Sequence, residues 1–177
     1  IMDCLQKIQS SSNYLLALIN DILDMSKIES GKMKLETVNF NMNDMLETVR
    51  ELIRPQAEAK EIHFVQDVTL TDSWFSADRM RISQILINLL GNAVKFTPQK
   101  GRISLTVREE RNMGTESLVF FAVRDTGTGI AKEDQERVFR SFEQSSSNQS
   151  KQQGTGLGLS ISSRLVQMMG SGIHLDS

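Results

Sequence analysis

The sequence predicts an α+β fold in which a mixed α/β domain is preceded by a long N-terminal helix. Three observations lead to this prediction: apolar residues at helical spacing open the chain, short β-like segments alternate with further helical patterns, and glycine-rich loops adjoin them. With 177 residues, the chain is long enough for one ordinary domain with a helical appendage.

The N-terminal helix is predicted from Leu5 to Ile28, where apolar residues recur every three or four positions. Gly31 follows, and glycine commonly ends a helix. A β-like stretch from Met33 to Phe40 comes next. Because the apolar seam of the helix is wide, we expect it to pack against partner helices.

The second helix is predicted to start at a cap formed by Asn41 or Asn43, to contain Pro55 and to end near Lys60. The later elements alternate between strands and helices, with a glycine loop before each of the last two helices. In chain order they are strands Ile62–Val68 and Trp74–Ala77, a helix from Asp78 to about Phe96, a hairpin of Arg102–Val107 and Leu118–Arg124 with the turn Glu109–Glu116, a loop Asp125–Ile130, a short helix Lys132–Phe142, a loop Gly154–Gly158 and a helix to Met169.

The composition excludes several classes of protein. Two histidines and one cysteine rule out a cysteine-rich zinc module and a disulfide framework. The 20 basic and 22 acidic residues give a net charge of −2 and argue against a nucleic-acid binder, which needs a basic surface. No stretch approaches the roughly 18–20 consecutive apolar residues of a membrane span, so we expect a cytoplasmic polypeptide without direct membrane contact.

The helix that starts at Asp78 carries a polar stripe between apolar residues. At about 100° per residue, this stripe falls within an arc of roughly 100°. Its members are Gln84, Asn88, Gly91, Asn92 and Lys95. An asparagine oxygen can bind a hard cation and a lysine can contact phosphate, so the stripe fits a magnesium-bound polyphosphate. An amphipathic helix with a solvated stripe explains the same pattern equally well.

The first glycine-rich loop, Asp125–Ile130, directly follows a predicted strand. Its glycines allow a ligand to approach the backbone, and Asp125 can accept a hydrogen bond from an exocyclic amine such as adenine N6. A plain tight turn or part of a calcium loop also has this spacing, so the motif alone does not decide between them.

The second glycine-rich loop, Gly154–Leu159, opens a helix whose free N–H groups can bind phosphate oxygens. It is neither a Walker loop nor a Rossmann fingerprint. Before it come Phe139 and Phe142, followed by a polar tract, Ser145–Gln153, which has almost nothing to bury. We expect an apolar latch and a mobile lid in this region.

In order and spacing, these motifs resemble the histidine kinase family of two-component signalling, in its ATP-binding domain of the Bergerat type. The four matching segments are QILINLLGNAVKFT at 84–97, DTGTGI at 125–130, RVFRSFEQ at 137–144 and GTGLGLSIS at 154–162. The resemblance implies a two-layer α/β sandwich with a mixed sheet. It also implies that residues 1–31 are the second helix of the dimerisation and phosphoacceptor hairpin, and that residues 32–177 are the catalytic domain, truncated at its C-terminus.

The same resemblance implies roles for individual residues. Asn92 would be the principal magnesium ligand, while Asn88, one turn earlier, and Lys95, a phosphate contact, would be the catalytic residues. Asp125 would bind the adenine amine. The other implied nucleotide-binding residues are Gly127, Gly129 and Ile130 of the first loop, Phe142, and Gly154, Thr155, Gly156, Leu157 and Gly158 of the second loop.

The residue at position 88 separates two kinds of chemistry. Related ATPases of the gyrase, mismatch-repair and heat-shock type carry a glutamate in place of Asn88, and this glutamate activates water. An asparagine cannot act as that base. We therefore expect ATP to be presented for transfer rather than hydrolysed quickly.

The implied reaction moves the γ-phosphoryl group of ATP to a histidine and then to an aspartate of a response-regulator receiver domain. The acceptor histidine is expected on a first hairpin helix outside this chain, because neither His63 nor His174 matches the acceptor motif. The implied partners are ATP with Mg²⁺, the acceptor hairpin, a receiver domain and a second copy that pairs through the hairpin helix.

The resemblance is strongest to hybrid sensor kinases, and it implies a parent protein anchored in the plasma membrane. Two other functions stay open at this point. One is an ATP hydrolase of the wider Bergerat group. The other is a non-catalytic module that binds nucleotide or dimerises.

Overall fold

The long N-terminal helix, α1, runs Met2–Glu29. The computed structural model of the protein describes residues 2–112, 116–140 and 156–177. Gly31 follows α1 with a φ of 64°, in the left-handed region that glycine adopts without steric cost. The prediction of a long first helix ended by this glycine is confirmed.

The other elements follow the predicted order. The strands are β1 Val38–Asn41, β2 His63–Thr69, β3 Trp74–Ala77, β4 Arg102–Asn112 and β5 Ser117–Asp125, and the helices are α2 Met42–Ala59, α3 Arg79–Phe96, α4 Lys132–Gln135 and α5 Gly158–Met168, with a short 3-10 helix at Arg137–Phe139. The chain divides into two compact units, one of residues 1–35 with 131–177 and one of residues 36–130.

The unit of residues 36–130 is built on a mixed sheet. Strand β4 is central, with β2 parallel on one side and β5 antiparallel on the other, while β1 and β3 form a separate antiparallel pair. Helices α2 and α3 pack on one face of the sheet. Their shared core consists of Phe40, Met42, Met45, Leu46, Val49, Ile53, Ala57, Ile62, Leu86, Leu90, Ala93, Val94, Ile103, Leu105 and Val107. The two-layer α+β architecture with a mixed sheet is confirmed.

Polar side chains set the starts of both helices in this unit. The Asn41 side-chain oxygen accepts a hydrogen bond from the Asn43 N–H at 2.9 Å, so Asn41 is the cap of α2. Asp78 is buried and caps α3, because its Oδ1 accepts a hydrogen bond from the Arg81 N–H at 3.0 Å. Its Oδ2 accepts a second bond, at 2.9 Å, from the N–H of Glu36.

The predicted β-like stretch from Met33 to Phe40 is mostly wrong, because only its end belongs to a strand, β1. The physical reason lies in its backbone: the N–H of Glu36 is bound by the carboxylate of Asp78 instead of by a neighbouring strand. Alternation of apolar residues predicts a strand only where a partner backbone is available.

The predicted hairpin turn Glu109–Glu116 is too long, because β4 continues to Asn112 and β5 starts at Ser117. Polar residues extend the ladder there. The carboxylate of Glu109 accepts hydrogen bonds from the hydroxyl of Ser117 at 2.7 Å and from the N–H of Thr71 at 2.9 Å. Hydrophobic patterning cannot detect pairing that rests on such polar contacts.

In the other unit, the predicted helix Lys132–Phe142 is broken into α4 and the 3-10 helix. The guanidinium of Arg137 donates to the buried carboxylate of Asp134 at 3.2 Å, and the N–H of Arg140 bonds the carbonyl of Arg137 at 2.9 Å in the tighter i to i+3 pattern. Residue 142, where this helix was predicted to end, lies outside the described residues.

Helix α5 packs against α1 and against the 3-10 helix in the same unit. Several large apolar side chains along α1 nevertheless remain exposed. They are Ile8, Leu15, Leu16, Ile19, Ile22 and Leu23. Within the described ranges, no helix has both the length and the apolar character needed to cross a membrane.

Candidate functional site

The polar stripe of α3 lies at the boundary between core and solvent. Its members Gln84, Asn88, Asn92 and Lys95 are all half-buried. The apolar side of the same helix is buried, at Ile85, Leu86, Leu90, Ala93 and Val94. The helical period therefore places the amides and the ammonium group on one accessible face while the opposite side anchors the helix in the core.

Lys95 stands at the C-terminal end of this stripe. Partial burial lowers the pKa of its ammonium group, because a charged group loses solvation when it leaves water. Its Nζ lies 4.8 Å from the centroid of the Phe96 ring, a cation–π arrangement. A phosphate group would replace the solvation that this lysine has lost, so the arrangement fits an anionic ligand.

The first glycine loop begins where β5 ends, at Asp125. One carboxylate oxygen of Asp125 accepts a hydrogen bond from the N–H of Gly127 at 2.7 Å. Thr126 fixes the loop to the start of β4: its N–H bonds the Arg102 carbonyl at 3.1 Å and its Oγ1 accepts from the Arg102 N–H at 2.9 Å. The Asp125 side chain is exposed, and its second oxygen is thus available to a donor from solvent or ligand.

Gly127 brings this loop against the end of α3. A Cβ atom at Gly127 would lie 2.8 Å from the Phe96 carbonyl oxygen and 2.6 Å from Oδ1 of Asp125, closer than side chains tolerate. Gly129 has a φ of 69°, which favours glycine, and Ile130 is half-buried. The structure therefore brings together two predicted motifs, the end of the polar helix and the first glycine loop.

The second glycine loop belongs to the other unit and is described in part. Gly156 has a φ of 70°, Leu157 is fully buried, and Gly158 is the first residue of α5. The hydroxyl of Ser160 donates to the Leu157 carbonyl at 2.8 Å. The predicted contacts Phe142, Gly154 and Thr155, and the predicted lid Ser145–Gln153, lie outside the described residues.

Nucleotide roles for the residues of both loops remain predictions. The same is true of the metal role of Asn92. Within the ranges that the structure describes, no group of three or more His, Cys, Asp or Glu side chains is arranged to hold a metal ion. Mg²⁺ often binds through one or two protein oxygens and completes its shell with phosphate and water. The half-buried amide oxygen of Asn92 suits that mode of binding.

One residue close to the site, Lys60, was not predicted from the sequence. Its Nζ donates hydrogen bonds to the carbonyl oxygens of Val94, Lys95 and Thr97 at the end of α3. The sequence does contain an indication of this role of Lys60. Pro98 lacks the N–H that would otherwise bond the Val94 carbonyl four residues earlier. A proline at that spacing indicates that the helix end needs another donor.

Comparison with known proteins gives one family match and several close relatives. The model of the family described as "Histidine kinase-, DNA gyrase B-, and HSP90-like ATPase" matches residues 77–177. "Sensor protein GacS" of Pseudomonas syringae pv. syringae is 40% identical over 177 residues, which is 99% of this chain and 19% of that protein. The chain thus spans about a fifth or less of the length of the curated relatives it matches.

Solved structures show the same similarity. Full-length ShkA in complex with AMPPNP has a TM-score of 0.77 at 34% identity, covering 96% of this chain and 34% of that one. The catalytic domain of the histidine kinase ThkA has a TM-score of 0.62 at 34% identity, covering 75% of this chain and 81% of that one. ThkA in complex with the response regulator TrrA has a TM-score of 0.65 at 27% identity, covering 93% of this chain and 43% of that one.

Proposed function

Because this chain belongs to the family of histidine kinase-, DNA gyrase B- and HSP90-like ATPases, as an ATP-binding catalytic region of the histidine kinase type, we propose that it transfers the γ-phosphoryl group of ATP to a histidine outside this chain. One observation carries the proposal: the backbone of Gly127 lies against the Phe96 carbonyl. This contact supports a single nucleotide site, since it joins the loop that begins with Asp125 to the end of the helix that carries Asn92 and Lys95.

Within the proposed site, each polar residue has one task. The exposed carboxylate oxygen of Asp125 accepts a hydrogen bond from the adenine amine. The amide oxygen of Asn92 is a ligand of Mg²⁺, with Asn88 one turn earlier, and Lys95 contacts a phosphate oxygen. Mg²⁺, when bound, offsets the negative charge of the phosphates. The glycines of the first loop keep the backbone free of side chains where the nucleotide lies.

The transfer step requires positioning more than acid–base catalysis. An imidazole nitrogen of the acceptor histidine attacks the γ-phosphorus, a P–N bond forms, and the bond from that phosphorus to the bridging oxygen of ADP breaks. The ring proton is lost to solvent. Fixed geometry and charge neutralisation supply most of the rate enhancement. Asn88 cannot accept a proton from water, so hydrolysis of ATP should be slow.

The first helix supports the second part of the proposal, which concerns the partners. Residues 1–31 are the second helix of a phosphoacceptor hairpin, and residues 32–177 are the catalytic domain. The exposed seam of α1, with Ile8 63% and Leu16 59% exposed, is the surface through which two copies pair in the parent protein. A receiver domain of a response regulator then takes the phosphoryl group onto an aspartate, as the complex of ThkA with TrrA suggests.

The direct test supplies the missing acceptor. The chain is incubated with Mg²⁺, ATP and a separate hairpin that carries an acceptor histidine, and acid-labile phosphate on the hairpin is measured. We expect phosphorylation of the hairpin and slow release of free phosphate. Rapid phosphate release that does not depend on the hairpin would instead support an ATP hydrolase, and nucleotide binding without transfer would support a non-catalytic module.

Substitution of Asn92 tests the magnesium role. Asn92→Ala should weaken calorimetric binding of AMPPNP with Mg²⁺ by about tenfold or more, because the loss of one charge-assisted ligand contact is worth roughly 1.5–3 kcal/mol. Asn39→Ala, at an exposed position of strand β1, is the control and should leave affinity unchanged. Equal affinities for the two variants would contradict the assignment of Asn92.

A further inference from the structure

Lys60 joins two helix ends. It is the C-terminal cap of α2, where its N–H bonds the carbonyl of Ala57 at 3.2 Å. Its side chain reaches the end of α3, where Nζ donates to the carbonyls of Val94 at 2.7 Å, Lys95 at 2.9 Å and Thr97 at 3.2 Å. An ammonium group has three N–H bonds, so this geometry uses all of them.

The end of α3 needs this donor for a chemical reason. The last carbonyl groups of a helix have no partner within the helix. At this end the Thr97 N–H bonds the Ala93 carbonyl at 2.9 Å. The Val94 carbonyl would take the N–H of residue 98, but residue 98 is a proline and has none. Lys60 supplies the missing donor and also places a positive charge at the negative end of the helix dipole.

Lys60 is itself held in place by its own backbone. The Ile62 N–H bonds the Ala57 carbonyl and the Glu61 N–H bonds the Glu58 carbonyl, both at 2.9 Å, which is the Schellman pattern at the end of α2. In addition, the carbonyl of Lys60 accepts one hydrogen bond, at 3.0 Å, from the N–H of Lys100. The ammonium group therefore extends from a fixed base.

The bonded carbonyls lie next to the nucleotide-site residues. One of them belongs to Lys95 itself, and the carbonyls of Lys95 and Thr97 flank Phe96, whose own carbonyl meets the backbone of Gly127. A shift of the end of α3 would thus move Lys95 and the first glycine loop relative to each other. Displacements of about 1 Å in such sites cost up to roughly 100-fold in activity.

We propose that Lys60 is a positioning residue of the nucleotide site: it touches no nucleotide, and it fixes the end of α3 against the first glycine loop by bonding three carbonyl groups there. This inference rests on the proposed function, since it assumes that ATP binds at α3 and that loop. According to this inference, a residue at the end of α2 keeps Lys95 and Asp125 in the correct relative position.

The test compares four variants of the chain by calorimetry with AMPPNP and Mg²⁺. Lys60→Met keeps the length of the side chain but removes every donor, and we expect affinity to fall about 10–100-fold. Lys60→Arg keeps charge and donors, so affinity should return to within about fivefold of the unsubstituted chain. Lys100→Met removes an exposed charge three residues after Thr97, the last residue that the Lys60 ammonium bonds, and should change affinity less than about twofold.

The fourth variant separates positioning from general loss of stability. Val49→Ala removes buried methyl groups on the core face of α2, so it lowers the unfolding free energy without touching the end of α3. At a temperature where every variant is folded, Val49→Ala should bind AMPPNP normally. Weakening by Lys60→Met, rescue by Lys60→Arg and normal binding by Val49→Ala would together support the proposal.

Two results would overturn it: equal affinity for Lys60→Met and the unsubstituted chain, or equal weakening in Lys60→Met and Val49→Ala. If Lys60→Met does not fold, the same binding measurement is made with Lys60→Gln, whose shorter amide side chain cannot reach three carbonyls. Weakened binding by Lys60→Gln then supports the proposal, and normal binding overturns it. If the unsubstituted chain itself does not bind AMPPNP, the proposed function fails, which is a different result from any of these.

Discussion

Replacement of Gly127 by alanine is the sharpest test of the contact between the first glycine loop and α3. The new Cβ would lie 2.8 Å from the Phe96 carbonyl oxygen and 3.1 Å from its carbonyl carbon. Comfortable contacts of carbon begin at about 3.5 Å, so the loop must move by several tenths of an ångström, up to roughly 0.7 Å. The exposed side chain of Asp125, also close to the new atom, can rotate away, but the Phe96 carbonyl is part of the helix end.

The magnitude follows from this forced movement. Overpacking a fixed contact costs about 1–3 kcal/mol of unfolding free energy. Because the same movement separates Asp125 from the end of α3, affinity for AMPPNP with Mg²⁺ should also fall, by about 10-fold or more. Urea unfolding measures the first effect and calorimetry the second.

Gly172→Ala is the matched control, since a Cβ there meets nothing within 4 Å. It should leave affinity unchanged and should not destabilise the fold, since alanine only removes freedom from the unfolded chain, which is worth about 0.4–1 kcal/mol in the opposite direction. If Gly127→Ala unfolds at the same urea concentration as the unsubstituted chain and binds AMPPNP equally well, the loop does not depend on close approach to Phe96, and the reasoning is refuted.

Two further predictions concern lysines near this contact. Lys95→Met should stabilise the nucleotide-free chain at neutral pH, because burial lowers the pKa of Lys95 and the folded state therefore disfavours its charge. Between that lowered pKa and the ordinary lysine pKa of about 10.4, only the unfolded chain keeps the proton, so the stability of the unsubstituted chain rises with pH. The stabilisation by Lys95→Met should therefore shrink as the pH rises through this range. Thermal melts that show a constant stabilisation across the range would contradict the prediction. Lys100→Gly should stabilise the fold by roughly 0.5–1 kcal/mol in urea unfolding. Lys100 has a φ of 65°, and glycine removes the steric cost of that backbone conformation. This gain exceeds the opposing loss of stability from the freedom that glycine adds to the unfolded chain. A less stable glycine variant would show that the side chain of Lys100 contributes more than its backbone costs.

Periodicity predicted α2 and α3 well because each has a buried side and a side-chain cap. The end of α3 at Thr97 followed from Pro98, and its start followed from Asp78. What the sequence could not give was pairing that depends on distant polar groups. The bond from the Glu36 N–H to Asp78 joins residues far apart in the chain, and no local pattern encodes it.

The candidate site was predictable for a different reason. Asn92 and Lys95 share a helix face by simple geometry, and the loop at Asp125 directly follows a strand, so their placement could be predicted locally, while their nucleotide roles stay predictions. The close approach of Gly127 to Phe96 depends on where β5 and α3 meet, which only the structure gives. Lys60 was missed because its function lies in the helix end that it bonds and not in its own neighbours in sequence.

The parallel pairing of β2 with β4 has a consequence for the order in which the fold assembles. β4 and β5 are joined by a short hairpin and can pair early, whereas residue 63 of β2 must find residue 102 across the whole of β3 and α3. Closing so long a loop is slow compared with hairpin or helix formation. Lys60 comes just before β2, so its bonds to the end of α3 form only when that loop closes. The junction of α3 and the first glycine loop, where we propose that nucleotide binds, is therefore completed late in folding, after the helix α3 already exists.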